Sequence, residues 1–223
     1  MPHLTKSEWR VLSGLLFLSL VPCLGGLLRL IDLGAGTSLM PENPRIGAVP
    51  LPVVIHLIGS IPFCVLGILQ FLPGVRRTYP YWHRKSGRLL VITGLLAAIS
   101  GLWMTHFYHF PAELQGPLLY WVRIIVGFGM IASLAMGLTS ILLAQISAHK
   151  AWMLRAYALG QGAGTQALIG IPWALLYGES TGLTRDTLMT LAWIINLVIA
   201  ETVIRKPGSH SSRTRRSPEI TIS

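Results

Sequence analysis

Six apolar stretches dominate this chain, each near or above the ~20 residues that a helix needs to cross the hydrocarbon core of a bilayer. They cover residues 11–33, 51–72, 89–107, 117–146, 154–177 and 184–204. Only 12% of the 223 residues are charged, against about 25% in a soluble domain. So few charges cannot solvate the outside of a water-soluble fold of this size. The reading is therefore all-α: a polytopic membrane protein, with a bundle of about six transmembrane helices forming one unit over residues 1–206. The Ser- and Arg-rich tail, 207–223, is predicted to be a disordered basic cytoplasmic segment. The fifth stretch is the least regular, because Gln161, Gln166 and several glycines dilute it.

The connections carry turn chemistry. Gly36, Pro41, Pro44 and Gly47 follow the first stretch, Pro73-Gly74 ends the second, and Pro111 and Gly116 bracket the third connection. Residues 1–26 resemble a signal peptide in their basic front, Lys6 and Arg10. The apolar run continues to Leu33 without a small-x-small step, so an uncleaved first helix is expected. With six crossings, 14 of the 18 basic residues fall on the side that holds both termini. Arg29, Arg45, Arg123 and Arg185 fall on the other. The excess of Lys and Arg in cytoplasmic loops then places both termini in the cytoplasm of a cell-membrane protein. The net charge of +10 is accounted for by anionic lipid head groups at that face rather than by nucleic acid.

The histidines carry the sharpest chemical expectation. His56 lies early in the second stretch, His106 closes the third, and His109 follows one turn later; these belong to the outer side. His83 and His149 belong to the inner side. A helix from His83 to His106 would separate the two layers by roughly 34 Å at 1.5 Å per residue. A b-type haem takes one or two axial imidazoles, commonly from different helices. His56 with His106 or His109, and His83 with His149, are thus candidate iron ligands for an electron-transfer protein. Gly59 and Gly87, each one turn from a candidate histidine, would make room for the macrocycle. Arg84, Arg88 and Arg155 would pair with propionates. Aromatic anchoring explains His106 and His109 equally well, among Trp103, Phe107, Tyr108 and Phe110. His56, inside a span, requires a partner of some kind.

Other polar residues have structural readings. Arg29 and Asp32 are one turn apart, Glu201 and Arg205 are four residues apart, and Arg123 is placed to snorkel or to meet Glu113. Gln161, Gln166 and Asn196 are expected to bond between helices, and the Gly160-x-x-x-Gly164 step to let backbones approach. Cys23 and Cys64 lie in apolar runs with no zinc spacing. No GxSxG, HExxH or Walker sequence occurs. The alternative to a haem protein is a non-redox membrane protein, a transporter or an assembly partner of a membrane complex, suggested by the polar fifth stretch. An enzyme acting on a lipid or quinone at the inner face is a third reading.

Two segments carry a resemblance. One spans residues 51–103 and contains His83-Arg84-x-x-Gly87-Arg88. The other spans 148–166 and contains His149-x-x-Trp152-Met153-x-Arg155-x-Tyr157-Ala158-Leu159. Together they resemble the predicted membrane-protein family known as domain of unknown function 2306, over roughly residues 50–200. Lys150 departs from the Arg expected after His149. The resemblance implies a multi-helix membrane fold and a paired cytoplasmic-side site of His83, Arg88, His149, Trp152 and Arg155. A looser likeness to two-haem transmembrane cytochromes b extends to helix number and layered histidines only.

Overall fold

A computed structural model describes residues 4–206, and the 207–223 tail lies outside the described residues. Helix α1 (Lys6–Ala35) begins with a reciprocal cap. Thr5 Oγ1 accepts from the Glu8 N–H at 3.2 Å, and Glu8 Oε2 accepts from the Thr5 N–H at 2.9 Å. The helix ends at Gly36, whose φ of 65° is the left-handed stop that glycine adopts without strain. A short α2 (Pro44–Ala48) leads to α3 (Leu51–Gln70). A second short helix, α4 (Pro73–Thr78), leads to α5 (Pro80–Phe107). Then follow α6 (Pro117–Leu142), α7 (Ile146–Gly160), α8 (Gly162–Tyr177) and α9 (Gly182–Arg205).

Five of these helices, α1, α3, α5, α6 and α9, are long and apolar enough to cross a membrane. The expected fifth stretch is divided between α7 and α8, of 15 and 16 residues, which meet at Gln161. The expected fifth span is therefore a broken helix. Its glycine and glutamine dilution was the local signal.

The bend exposes backbone groups that lipid cannot satisfy. Three side chains from other helices take them up. Asn196 Nδ2 donates to the Ala158 carbonyl at 3.1 Å, Trp193 Nε1 to Leu159 at 3.1 Å, and Cys64 Sγ to Gly160 at 3.6 Å. The Gln161 side chain donates to Tyr157 Oη at 2.6 Å and to Ser19 Oγ at 2.9 Å. Tyr157 in turn donates to the Cys64 carbonyl at 2.8 Å. One polar cluster thus joins α1, α3, α7 and α9 in the middle of the bundle. Around it pack Phe63, Ile68, Met130, Leu134 and Leu159.

Small residues permit this packing. A Cβ on Gly160 would stand 2.7 Å from the Phe63 ring, and Gly164 lies against the backbone of Leu18. Gly59 is closed in the same way, because its Cβ would stand 2.6 Å from the Thr93 carbonyl of α5. No space for a macrocycle exists there, contrary to the expectation from sequence.

Hydrogen bonds define the two ends of the bundle. At the end where α1 begins and α9 finishes, the terminal end, Glu8 Oε1 accepts from the Gly74 N–H at 2.6 Å. At the opposite, distal end, Asp32 gathers its own loop, accepting from Thr37, Leu39 and Met40 at 2.7–2.8 Å. The expected Arg29 partner stands farther off, at 3.7 Å. Tyr108 Oη donates to the Val49 carbonyl at 2.6 Å. Buried Asp186 of α9 accepts from the Gly116 and Leu119 N–H groups at 3.0 and 3.1 Å, capping α6 across the bundle.

Asp186→Ala leaves the buried Leu119 N–H and the half-buried Gly116 N–H unpaired and is expected to cost about 2–3 kcal/mol. Thermal unfolding in detergent should fall clearly for Asp186→Ala and less for Asp186→Asn. An unchanged midpoint in Asp186→Ala would remove the cap from the account.

Candidate functional site

A cavity of about 440 Å³ is lined by residues of every helix but α4. It reaches from Arg45, Phe110 and Arg123 at the distal end down to the bend at Gln161, with His56 on its wall. Its volume is that of a small-molecule site. The walls are mainly apolar, from residues such as Leu57, Ile61, Leu102 and Met130, and no carboxylate side chain among the described residues lines it.

His56 is held by α5. Its Nδ1 lies 2.9 Å from the Ala97 carbonyl and 3.3 Å from Ser100 Oγ. A carbonyl oxygen only accepts, so Nδ1 carries the hydrogen, and in the neutral ring Nε2 keeps a free lone pair. Gly101 lies beside the ring, and a Cβ there would make ordinary van der Waals contact with His56 Cε1, at 3.5 Å. His56 thus has the partner that its depth in a span demanded, and a second ring nitrogen that no protein group bonds among the described residues.

His106 is not brought to this site. It is exposed, and its Nδ1 lies 3.0 Å from Tyr120 Oη. Ala97, which meets His56, and His106 are nine residues apart, about two and a half turns, so they face opposite sides of α5. His109 is also exposed. The His56–His106 pair expected from depth alone is therefore undone by helix phase.

At the terminal end, no hydrogen bond joins His83 and His149. His149, Arg76 and Arg84 all lie within electrostatic range of His83. His149 Nδ1 meets the Gly137 carbonyl at 2.8 Å, and buried His83 Nδ1 has no hydrogen-bond partner. Of the arginines expected beside them, Arg155 is otherwise engaged. Arg155 forks onto Glu201 at 2.6 and 3.1 Å and lies 4.6 Å from the Trp152 ring centroid. Glu201 also meets Arg205, at 3.7 Å. Arg88 is exposed. Gly87 faces Gln70 Oε1. No group of three or more His, Cys, Asp or Glu side chains able to hold a metal occurs among the described residues.

The remaining polar residues of the site were placed by sequence in other roles. Arg123 bonds Gln115 Oε1 and not Glu113. It also stands over Phe110, 5.2 Å from the ring centroid, while Arg45 stands 4.6 Å from the same centroid. Burial holds the Tyr108 phenol above its ordinary range, with Arg45 pulling the other way. Sequence reading gave Arg45 no site. The signal available was scarcity, since only four basic residues fall on that side of the chain.

These features define a polytopic helical membrane protein with a cavity inside its bundle. The chain belongs to the family described as "Predicted membrane protein (DUF2306)", whose sequence model matches residues 53–204. That match covers α5 to α8, nearly all of α3 and α9, and all five candidate ligand histidines. No curated protein and no solved structure matches the chain.

The Arg155–Glu201 fork is expected to be structural. Arg155→Lys should lower stability by about 1–2 kcal/mol, and Arg88→Gln by less than about 0.5 kcal/mol. Unfolding in detergent measures both, and equal effects would contradict the assignment.

Proposed function

We propose that the protein binds an amphipathic molecule drawn from the membrane, with its apolar part among α1, α3, α5 and α6 and its polar part at the distal end. The observation that carries this reading is the cavity, which is apolar along its length and positively charged at one mouth. An apolar chamber with a few fixed polar groups is the usual form of a ligand site. Membrane carriers commonly place such a chamber beside a discontinuous helix, and the α7–α8 bend lies on its floor. This favours a carrier or an assembly role over an enzyme. The positive-inside bias puts both termini in the cytoplasm of the cell membrane and the charged mouth at the outer face. On that arrangement, the terminal-end arginines Arg76, Arg77, Arg84 and Arg88 meet anionic lipid head groups.

A second reading keeps b-type haem as the bound molecule and electron transfer as the role. One observation favours it: the His56 ring is oriented through Nδ1 with Nε2 free, as metal-binding imidazoles usually are. In this version Arg45 and Arg123, not Arg88 and Arg155, would face the propionates, and His106 would have no part. An inner haem would rest on His83 and His149 alone.

Extraction of protein purified from haem-replete cells separates the readings. A membrane-derived amphiphile should co-purify, identified by mass spectrometry, and Gly101→Leu, which fills the space beside His56, should reduce its amount several-fold. A Soret band that His56→Ala abolishes would establish the haem version. A preparation with neither pigment nor bound amphiphile, and no uptake of added lipid, would end both.

A further inference from the structure

Two arginines share one aromatic ring at the distal mouth of the cavity. The guanidinium carbons of Arg45 and Arg123 lie 4.6 and 5.2 Å from the centroid of Phe110, and all three residues line the chamber. Neither arginine forms an ion pair among the described residues. Their protein partners are neutral amides: Arg45 Nε donates to Asn43 Oδ1 at 3.3 Å, and Arg123 donates to Gln115 Oε1. Amides satisfy nitrogens but leave the charge uncompensated.

The surroundings do not supply the missing charge. Arg185 and Asp186 are within electrostatic range of Arg123. Both oxygens of Asp186 are committed to the Gly116 and Leu119 N–H groups, and the buried Nε of Arg185 has no partner. Glu42, Glu113 and Glu179 are exposed on the connecting segments of the same end and pair with neither arginine. Three guanidinium groups thus stand against one carboxylate, beside an apolar chamber where charge is expensive to leave unpaired.

We propose that this mouth takes the head group of a lipid phosphate monoester, whose hydrocarbon chain runs along the cavity toward Gln161. The proposal rests on the cavity's being a ligand site and names the class of ligand. A phosphate monoester brings about −1.5 to −2 charges at neutral pH and three acceptor oxygens, which matches a surplus of two positive charges. A carboxylate brings one charge and two oxygens. Guanidinium groups fork onto phosphate oxygens, and stacking on Phe110 fixes both before the ligand arrives.

Binding of three radiolabelled probes with the same tail, hexadecyl phosphate, hexadecanoate and hexadecanol, to the full chain in phosphatidylcholine nanodiscs tests this. Hexadecyl phosphate is expected to bind at least about tenfold more tightly than hexadecanoate, a difference of roughly 1.4 kcal/mol. The double variant R45Q/R123Q should lose that preference while hexadecanol binding stays unchanged. R45Q alone keeps the Arg123–Gln115 bond and should lose part of the preference, so a double variant that fails to fold leaves the question decidable. Equal affinity for the three probes would overturn the phosphate assignment and leave the cavity as a ligand site. Binding of none would overturn both. Displacement of hexadecyl phosphate by inorganic phosphate at equal concentration would overturn the lipid part, because the tail would then contribute nothing.

Discussion

Backbone groups freed inside an apolar medium must find partners within the protein, and in this chain that requirement converges on the bend at Gln161. The carbonyls of Ala158, Leu159 and Gly160 are taken by Asn196, Trp193 and Cys64, from α9 and α3. Each bond fixes the rotation of one helix about its axis as well as its distance from the bend. Ser19 of α1 joins through Gln161. Thr165 Oγ1 bonds Asn196 Oδ1 at 2.7 Å and ties the start of α8 to the same point. In lipid there is little hydrophobic drive between helices, so such bonds and close glycine contacts set the arrangement.

The cavity is a consequence of that arrangement. A straight helix through residues 146–177 would present one continuous face to its neighbours. The bend instead sends α8 against α1 and α9, while α7 stays against α6, α9 and α3. The space left between them, on the distal side of Gln161, is the chamber that His56 and the two arginines line. The polar cluster closes it toward the terminal end. There His83, His149 and the Arg155–Glu201 fork form a separate region that bears on stability and on the membrane surface.

Several parts of this picture were legible along the chain. The second, fourth and sixth apolar stretches fell within a few residues of α3, α6 and α9, whereas α5 and α7 begin nine and eight residues before the third and fifth. Gln161, Gln166 and Asn196 were identified as interhelical hydrogen-bonders, and each is one: Gln166 donates to the Met189 carbonyl at 3.2 Å. The sequence family was recognisable from the His83 and His149 segments. The pairing of His56 with His106 was not sound, because depth along a helix ignores rotation about it. The propionate role given to Arg155 ignored Glu201, which lies 46 residues away in sequence and bonds it directly. Asp186, at the start of the last stretch, gave no sign that it caps a different helix.

What the sequence by itself determined is the medium and the elements. Runs of about twenty apolar residues cannot be left in water, and in lipid a helix satisfies its own backbone, so composition and length decide the class without reference to packing. What only the tertiary structure decided is which polar side chains meet. A crossing presents all sides of its helix, and a rotation of about 100° per residue separates a cavity wall from a lipid-facing surface. That rotation is set by contacts such as Asn196 with Ala158 and Asp186 with Gly116, formed between residues far apart in sequence.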